Sequence, residues 1–216
     1  MTGQGTKPTT QARAAQTREK LIQALETLLK SKDFSQISVA EIAAEAGVAV
    51  GTVYRRFDNK EAFVPVLVER LRQRGQDALQ HYSADGLSLP EQDLRGALRL
   101  VAAQSWQDVT ANVHLYRTLY LYVRLKPELV AAGWEEIEQI GLRQFEDLLS
   151  AYADEITHPD LALATRMTAY LFSSLFIERG LFADVAAVWI RDLDGETLAR
   201  EVADCAYAYL TAPVHA

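Results

Sequence analysis

A single cysteine, Cys205, leaves the chain without any internal disulfide framework, which fits a reducing compartment. The four histidines, His81, His114, His158 and His215, are scattered and pair with no second thiol, which argues against a structural zinc site. No apolar run is long enough to span a bilayer, and serines interrupt the strongest one, "TAYLFSSLFI". The first sixteen residues are polar and hold no apolar segment of secretory length. A soluble, cytoplasmic protein is expected. No stretch alternates as a half-buried strand does, and no repeat recurs at a fixed period.

Catalytic constellations are missing too. "GQGTK" near the start has neither the preceding strand nor the spacing of a phosphate loop. "DLDGE" lacks the remaining ligands of a calcium loop and reads better as a turn capping the last helix. No enzyme activity, catalytic residue, metal or cofactor is therefore expected.

What remains is an ordinary soluble composition, 49% hydrophobic and 24% charged over 216 residues, long enough for a sizeable core. Its charge is uneven. Residues 1–60 carry nine Lys/Arg against six Asp/Glu (+3), and residues 61–216 carry thirteen against twenty-three (−10). A basic front on an acidic body suggests a polyanion-binding face.

Almost every periodic segment has helical spacing. Helices are expected over about 17–31, 38–47, 49–56, 59–79, 90–110, 113–126, 134–153, 159–179 and 196–210. Ser38 and Glu41 form a Ser-x-x-Glu capping box, Gly47 ends the second helix, and Asn59 or Asp58 caps the fourth. Pro127 and Pro159 suit first-turn positions. Pro65, near the sixth position of the fourth helix, should kink it. Such a kink offers a way to couple movement of the body to the front end, although a static bend explains it equally.

The second and third segments, close around Gly47, make a helix-turn-helix. Ile42, Ala43, Ala46, Val48 and Val53 can pack the pair together. Ala49, Val50, Gly51, Thr52, Tyr54, Arg55 and Arg56 are left at the outer edge, where a recognition helix meets bases and phosphates. Lys60, a cation at a helix N-terminus, makes sense if a phosphate lies between them.

The stretches "TREKLIQALETLL", the aromatic Phe34, "SVAEIAAEAGV", "GTVYRRF" and "NKEAF" resemble the tetracycline-repressor (TetR) family of bacterial transcription regulators. The resemblance covers roughly Thr17 to Val64 and implies an all-α homodimer: a three-helix DNA-binding bundle joined by a linking helix to a larger helical domain, about nine helices in all. The corresponding divisions are a flexible tail (1–16), a DNA-binding domain (17–60) and a ligand-binding and dimerisation domain (61–216). It also implies a repressor that leaves a pseudo-palindromic double-stranded DNA operator when a small-molecule effector binds. By position, Thr52, Tyr54, Lys60 and Ser38 are the expected phosphate contacts, while Ala49, Val50, Gly51 and Arg55 face bases. Ala49 and Val50 stand where the family often has a polar residue or lysine, so apolar contact with thymine methyls replaces some hydrogen bonding. Arg55 has two readings, guanine or phosphate, and Arg56 points to the backbone or solvent.

For the body, Trp106, His114, Arg117, Tyr120, Arg124, Trp134 and Phe145 are the expected pocket residues, although ordinary core packing explains each ring as well. Met167, Tyr170, Leu171, Ser174, Leu175, Val202, Cys205 and Tyr209 are the expected dimer-interface residues, on stripes that an internal core can also use. The rival to a DNA-binding regulator is a helical protein-interaction module whose helix-turn-helix does not touch DNA.

Overall fold

The computed structural model describes residues 10–84, 93–183 and 187–212. Among them there are nine α-helices and no strand. They are α1 (Thr10–Leu29), α2 (Val39–Glu45), α3 (Val50–Tyr54), α4 (Val64–Ala84), α5 (Leu94–Ala111), α6 (Val113–Leu125), α7 (Ala131–Ala151), α8 (Leu161–Leu181) and α9 (Gly195–Thr211). The all-α architecture matches expectation; several boundaries move. Helix α1 starts at Thr10, inside the stretch expected to be tail. Pro90, the expected start of the fifth helix, lies outside the described residues, and Asp93 caps α5 by accepting from the Gly96 amide at 2.7 Å. Pro159 sits one residue before the cap of α8, Asp160. Asp194 of "DLDGE" accepts from the Thr197 amide at 2.8 Å and caps α9, as the turn reading required.

Pro65 is corrected. Asn59 caps a 3₁₀ turn, Lys60–Phe63, and α4 begins only at Val64. The proline is therefore the second residue of α4, where an N–H would lack an intrahelical partner anyway. No kink is required of it, and the coupling idea loses its basis.

Two apolar clusters organise the molecule. One joins Leu21, Leu25, Ile42, Val53, Phe57, Phe63 and Leu67 and reaches Leu115 and Leu119 of α6 and Trp134 of α7. The helix-turn-helix thus shares a core with the linking helix and with part of the body. The second is built from α5, α7, α8 and α9 around Leu98, Phe145, Phe172, Phe176 and Val202. Tyr116 and Tyr120 pack against both.

Trp106 belongs to this second packing rather than to a ligand site. Its ring meets Phe176 edge-on at 6.1 Å, and a Cβ added to Gly195 would overlap the indole. Gly195→Ala should therefore displace Trp106 and lower the unfolding free energy by about 1–3 kcal/mol. A shift of the denaturant midpoint at unchanged slope checks this; an unaltered midpoint would show that the ring relocates freely.

Candidate nucleic-acid interface and internal cavity

Helix α2 is closed at both ends by local sequence. The Glu41 amide donates to Ser38 Oγ at 3.2 Å, and Ser38 N donates to Glu41 Oε2 at 2.8 Å, completing the capping box. At the other end Gly47 has φ 66°; its amide donates to Ala44 O at 3.1 Å and that of Val48 to Ala43 O at 2.9 Å. That pair of bonds is a Schellman closure, and the left-handed residue it needs is why glycine stands there. The turn directs the chain straight into α3, which is anchored by Val53, buried against the core.

The rest of α3 faces outward. Val50 is 41% and Tyr54 54% exposed, with Ala49, Gly51, Arg55 and Arg56 also exposed and Thr52 half-buried. Arg55 donates to Thr52 Oγ1 at 2.9 Å, which holds its guanidinium along the helix surface. A Cβ at Gly51 would meet nothing within 4 Å among the described residues, so no packing there requires this glycine. Tyr54, Arg55 and Arg56 thus share one exposed helix end.

Two expected phosphate contacts are corrected. Lys60 turns inward: Nζ donates to Phe34 O at 2.9 Å, Ser35 O at 3.2 Å and Ile37 O at 2.9 Å, and lies 4.9 Å from the Phe34 ring centre. All three ammonium protons serve carbonyls of the loop before α2, so Lys60 is a strut. Ser38 donates its hydroxyl proton to Glu41 Oε2 at 2.7 Å, and Lys32 Nζ holds Glu41 Oε1 at 2.6 Å. The Glu41 carboxylate thus occupies the N-terminus of α2 that a phosphate was expected to use. Its pKa falls to about 2, chiefly through the Lys32 hydrogen bond and then those from Ser38.

The body encloses a cavity of about 840 Å³ between α4, α5, α6, α7 and α8. Tyr120, Trp134 and Phe145 line it, as expected, along with Phe172 and Phe176. Four expected lining residues lie elsewhere. Trp106 packs on Gly195. His114 sits in a separate polar recess against α1, where Nε2 has no partner among the described residues and burial pushes its pKa down. Arg117 is exposed, 3.7 Å from Asp33, and Arg124 is exposed as well. Helix α6 turns those two cations outward, because Leu115, Thr118 and Leu119 claim its buried side.

The polar groups of the cavity were missed by sequence reasoning. Asp108 opens onto it, accepting from Asn112 Nδ2 at 3.0 Å and, at a long 3.5 Å, from the Tyr116 hydroxyl. Dense surroundings desolvate the carboxyl and push its pKa up. The signal was present: Val101, Ser105 and Asp108 recur at helical spacing and share the inward side of α5. Arg74 links this wall to α1, with guanidinium nitrogens 2.6 Å from Asn112 Oδ1 and 2.5 Å from Glu26 Oε2. Glu26 in turn lies 2.9 Å from Arg70 Nε. A continuous polar chain therefore runs from the cavity to the helix that scaffolds the helix-turn-helix.

Residues 21–66 match the model of a family described as bacterial regulatory proteins, tetR family. Over that stretch the chain is similar to the TetR family. Among relatives, an HTH-type transcriptional regulator BetI of Stenotrophomonas maltophilia (strain R551-3) is 23% identical over 198 residues, 89% of this chain and 90% of its own. An HTH-type transcriptional repressor BepR of Brucella suis biovar 1 (strain 1330) is 29% identical over 116 residues, 52% of this chain and 56% of its own. The fold is that of a putative TetR-family regulator from Mesorhizobium loti MAFF303099, with TM-score 0.68 at 20% identity, covering 92% of this chain and 96% of that one.

Members of the TetR family bind operator DNA as homodimers and respond to small molecules. In this chain Met167 (47%), Tyr170 (67%) and Leu175 (39%) of α8 are exposed, as are Cys205 and Tyr209 of α9, while Leu171 and Ser174 are half-buried. Val202 is corrected: it is buried against the chain's own core, since α9 turns Leu198, Val202 and Ala206 inward. No helix among the described residues is long and apolar enough to cross a membrane.

Proposed function

We propose that this chain is a TetR-type regulator, a cytoplasmic, non-enzymatic repressor that holds an operator through α3 and releases it when a small molecule fills the cavity. The observation that carries the reading is a short exposed helix ending in two arginines, resting on a helix, α1, that one hydrogen-bonded chain links to a separate aromatic cavity. The repressor name of the Brucella relative supports the sign of regulation. Residues 17–60 are the DNA-binding part and 61–216 the effector and dimer part. On α3, Ala49, Val50, Gly51 and Arg55 face bases, and Thr52, Tyr54 and Arg56 hold the backbone. An effector acts only by as much as it prefers one half-site spacing over the other.

Operator binding should weaken linearly with the logarithm of salt, with a slope of about −0.9 for each phosphate neutralised. Arg56→Ala should make that slope shallower by about 0.9 per half-site. Lys60→Met, removing the strut, should lower the melting temperature and leave the slope alone. Fluorescence anisotropy on an operator selected from random DNA reads both variants. A slope near zero for the parent chain would remove the regulator reading; a shallower slope in Lys60→Met would return the lysine to the phosphates.

A further inference from the structure

The cavity is taken here as the effector site, and the inference rests on that reading. Among the described residues its lining includes one cation, Arg74, against three carboxylates, Asp108, Glu138 and Asp147. Arg74 is already engaged by Asn112 Oδ1 and Glu26 Oε2, so its charge is largely spent on the chain itself. Asp108 receives hydrogen bonds from Asn112 and Tyr116, both neutral donors. Glu138, at the rim, accepts from Trp134 Nε1 at 2.8 Å, which sets a second carboxylate beside an aromatic ring.

A ligand entering this space meets apolar rings and an excess of negative charge. We propose that the cavity takes a bulky organic monocation, an aromatic or alkyl body around a quaternary centre, with Asp108 as its counter-ion. Tyr116, Tyr120 and Trp134 line the same wall region and can add ring attraction to a cation of diffuse charge. Desolvation already burdens the Asp108 carboxylate, and a cation close by removes that burden. An anionic amphiphile of equal shape would face these three carboxylates, with Arg74 engaged elsewhere. The volume, about 840 Å³, suits a drug-sized molecule.

Tetraphenylphosphonium and tetraphenylborate share a four-ring shape and carry opposite charge. Calorimetry on the full dimer should find the phosphonium bound at least about tenfold more tightly. Asp108→Asn, nearly isosteric, should reduce that preference by about tenfold. Comparison of the two ions on the parent chain stands even if the variant fails to fold. Equal affinities, tighter borate, no binding of either ion, or an intact preference in folded Asp108→Asn would each overturn the assignment. Adding operator to the same samples separates the two readings. Phosphonium that binds without releasing DNA keeps the charge preference and removes the effector reading. Release by a neutral or anionic compound, with no cation preference, does the reverse.

Discussion

Phe63→Ala should lower the unfolding free energy by about 3–5 kcal/mol, a large share of a typical total of about 5–15 kcal/mol. Phe63 has no exposed surface and stacks on Phe57 with ring centres 3.7 Å apart at 19°. The pair lies where the chain leaves α3 and enters α4, so each ring fixes the other's segment. Truncation leaves a cavity in the core that Leu21, Leu25 and Leu67 share with Phe63, and close packing there limits how far they can close it. The loss should concentrate at the front end. Operator affinity should fall even at temperatures where the dimer stays folded, and hydrogen exchange should rise in α2 and α3 before α9. Denaturant unfolding and exchange measured together check this; a uniform rise in exchange would show that the joint is no weaker than the rest. Phe63→Leu, which keeps most of the volume, should lose less.

Charges on the outer face of α8 should undo the dimer. Helix α8 is apolar on two sides: Ala164, Phe172, Phe176 and Ile177 cover the chain's own core, while Leu163, Met167 and Leu175 remain exposed. An apolar stripe on the outer side of a helix favours burial, which a second copy of the chain would supply. In Met167→Glu combined with Leu175→Glu, two acids per subunit meet their symmetry mates in a desolvated face. Sedimentation should show monomers at micromolar concentration. Affinity for a two-half-site operator should drop on the order of 10²-fold, since the second site no longer binds as part of one molecule. Affinity for a single half-site should hardly change. Tyr170 is left intact because it also lines the cavity. A double variant that sediments as a dimer would place the interface elsewhere.

The helix-turn-helix was legible because its determinants are local. Ser38 and Glu41, three residues apart, close the start of α2, and Gly47 closes its end through bonds spanning a few residues. Val53 falls inward and Tyr54 outward by helical periodicity alone. Lys60 was misplaced because its partners, the carbonyls of Phe34, Ser35 and Ile37, lie 23 to 26 residues away. Pro65 was misread because a 3₁₀ turn moved the start of α4 by a few residues, and position within the first turn decides what a proline costs.

The cavity shows the same division more sharply. Aromatic content in α6 and α7 announced rings in the body, and Tyr120, Trp134 and Phe145 do line the space. Which cations faced it was not decided by spacing, since Arg117 and Arg124 follow the exposed side of α6. Arg74 and Asp108 acquire their roles only where α1, α4, α5 and α6 meet.

By itself the sequence determined the helices, the capped turn at Gly47 and the exposed short helix, because hydrogen bonds and periodicity over a few residues specify them. Only the tertiary structure decided that Lys60 braces a loop, that Val202 is core, and that Asp108 faces a cavity. Each of those depends on which helix packs against which, and contacts between residues far apart in the chain leave no local pattern to read.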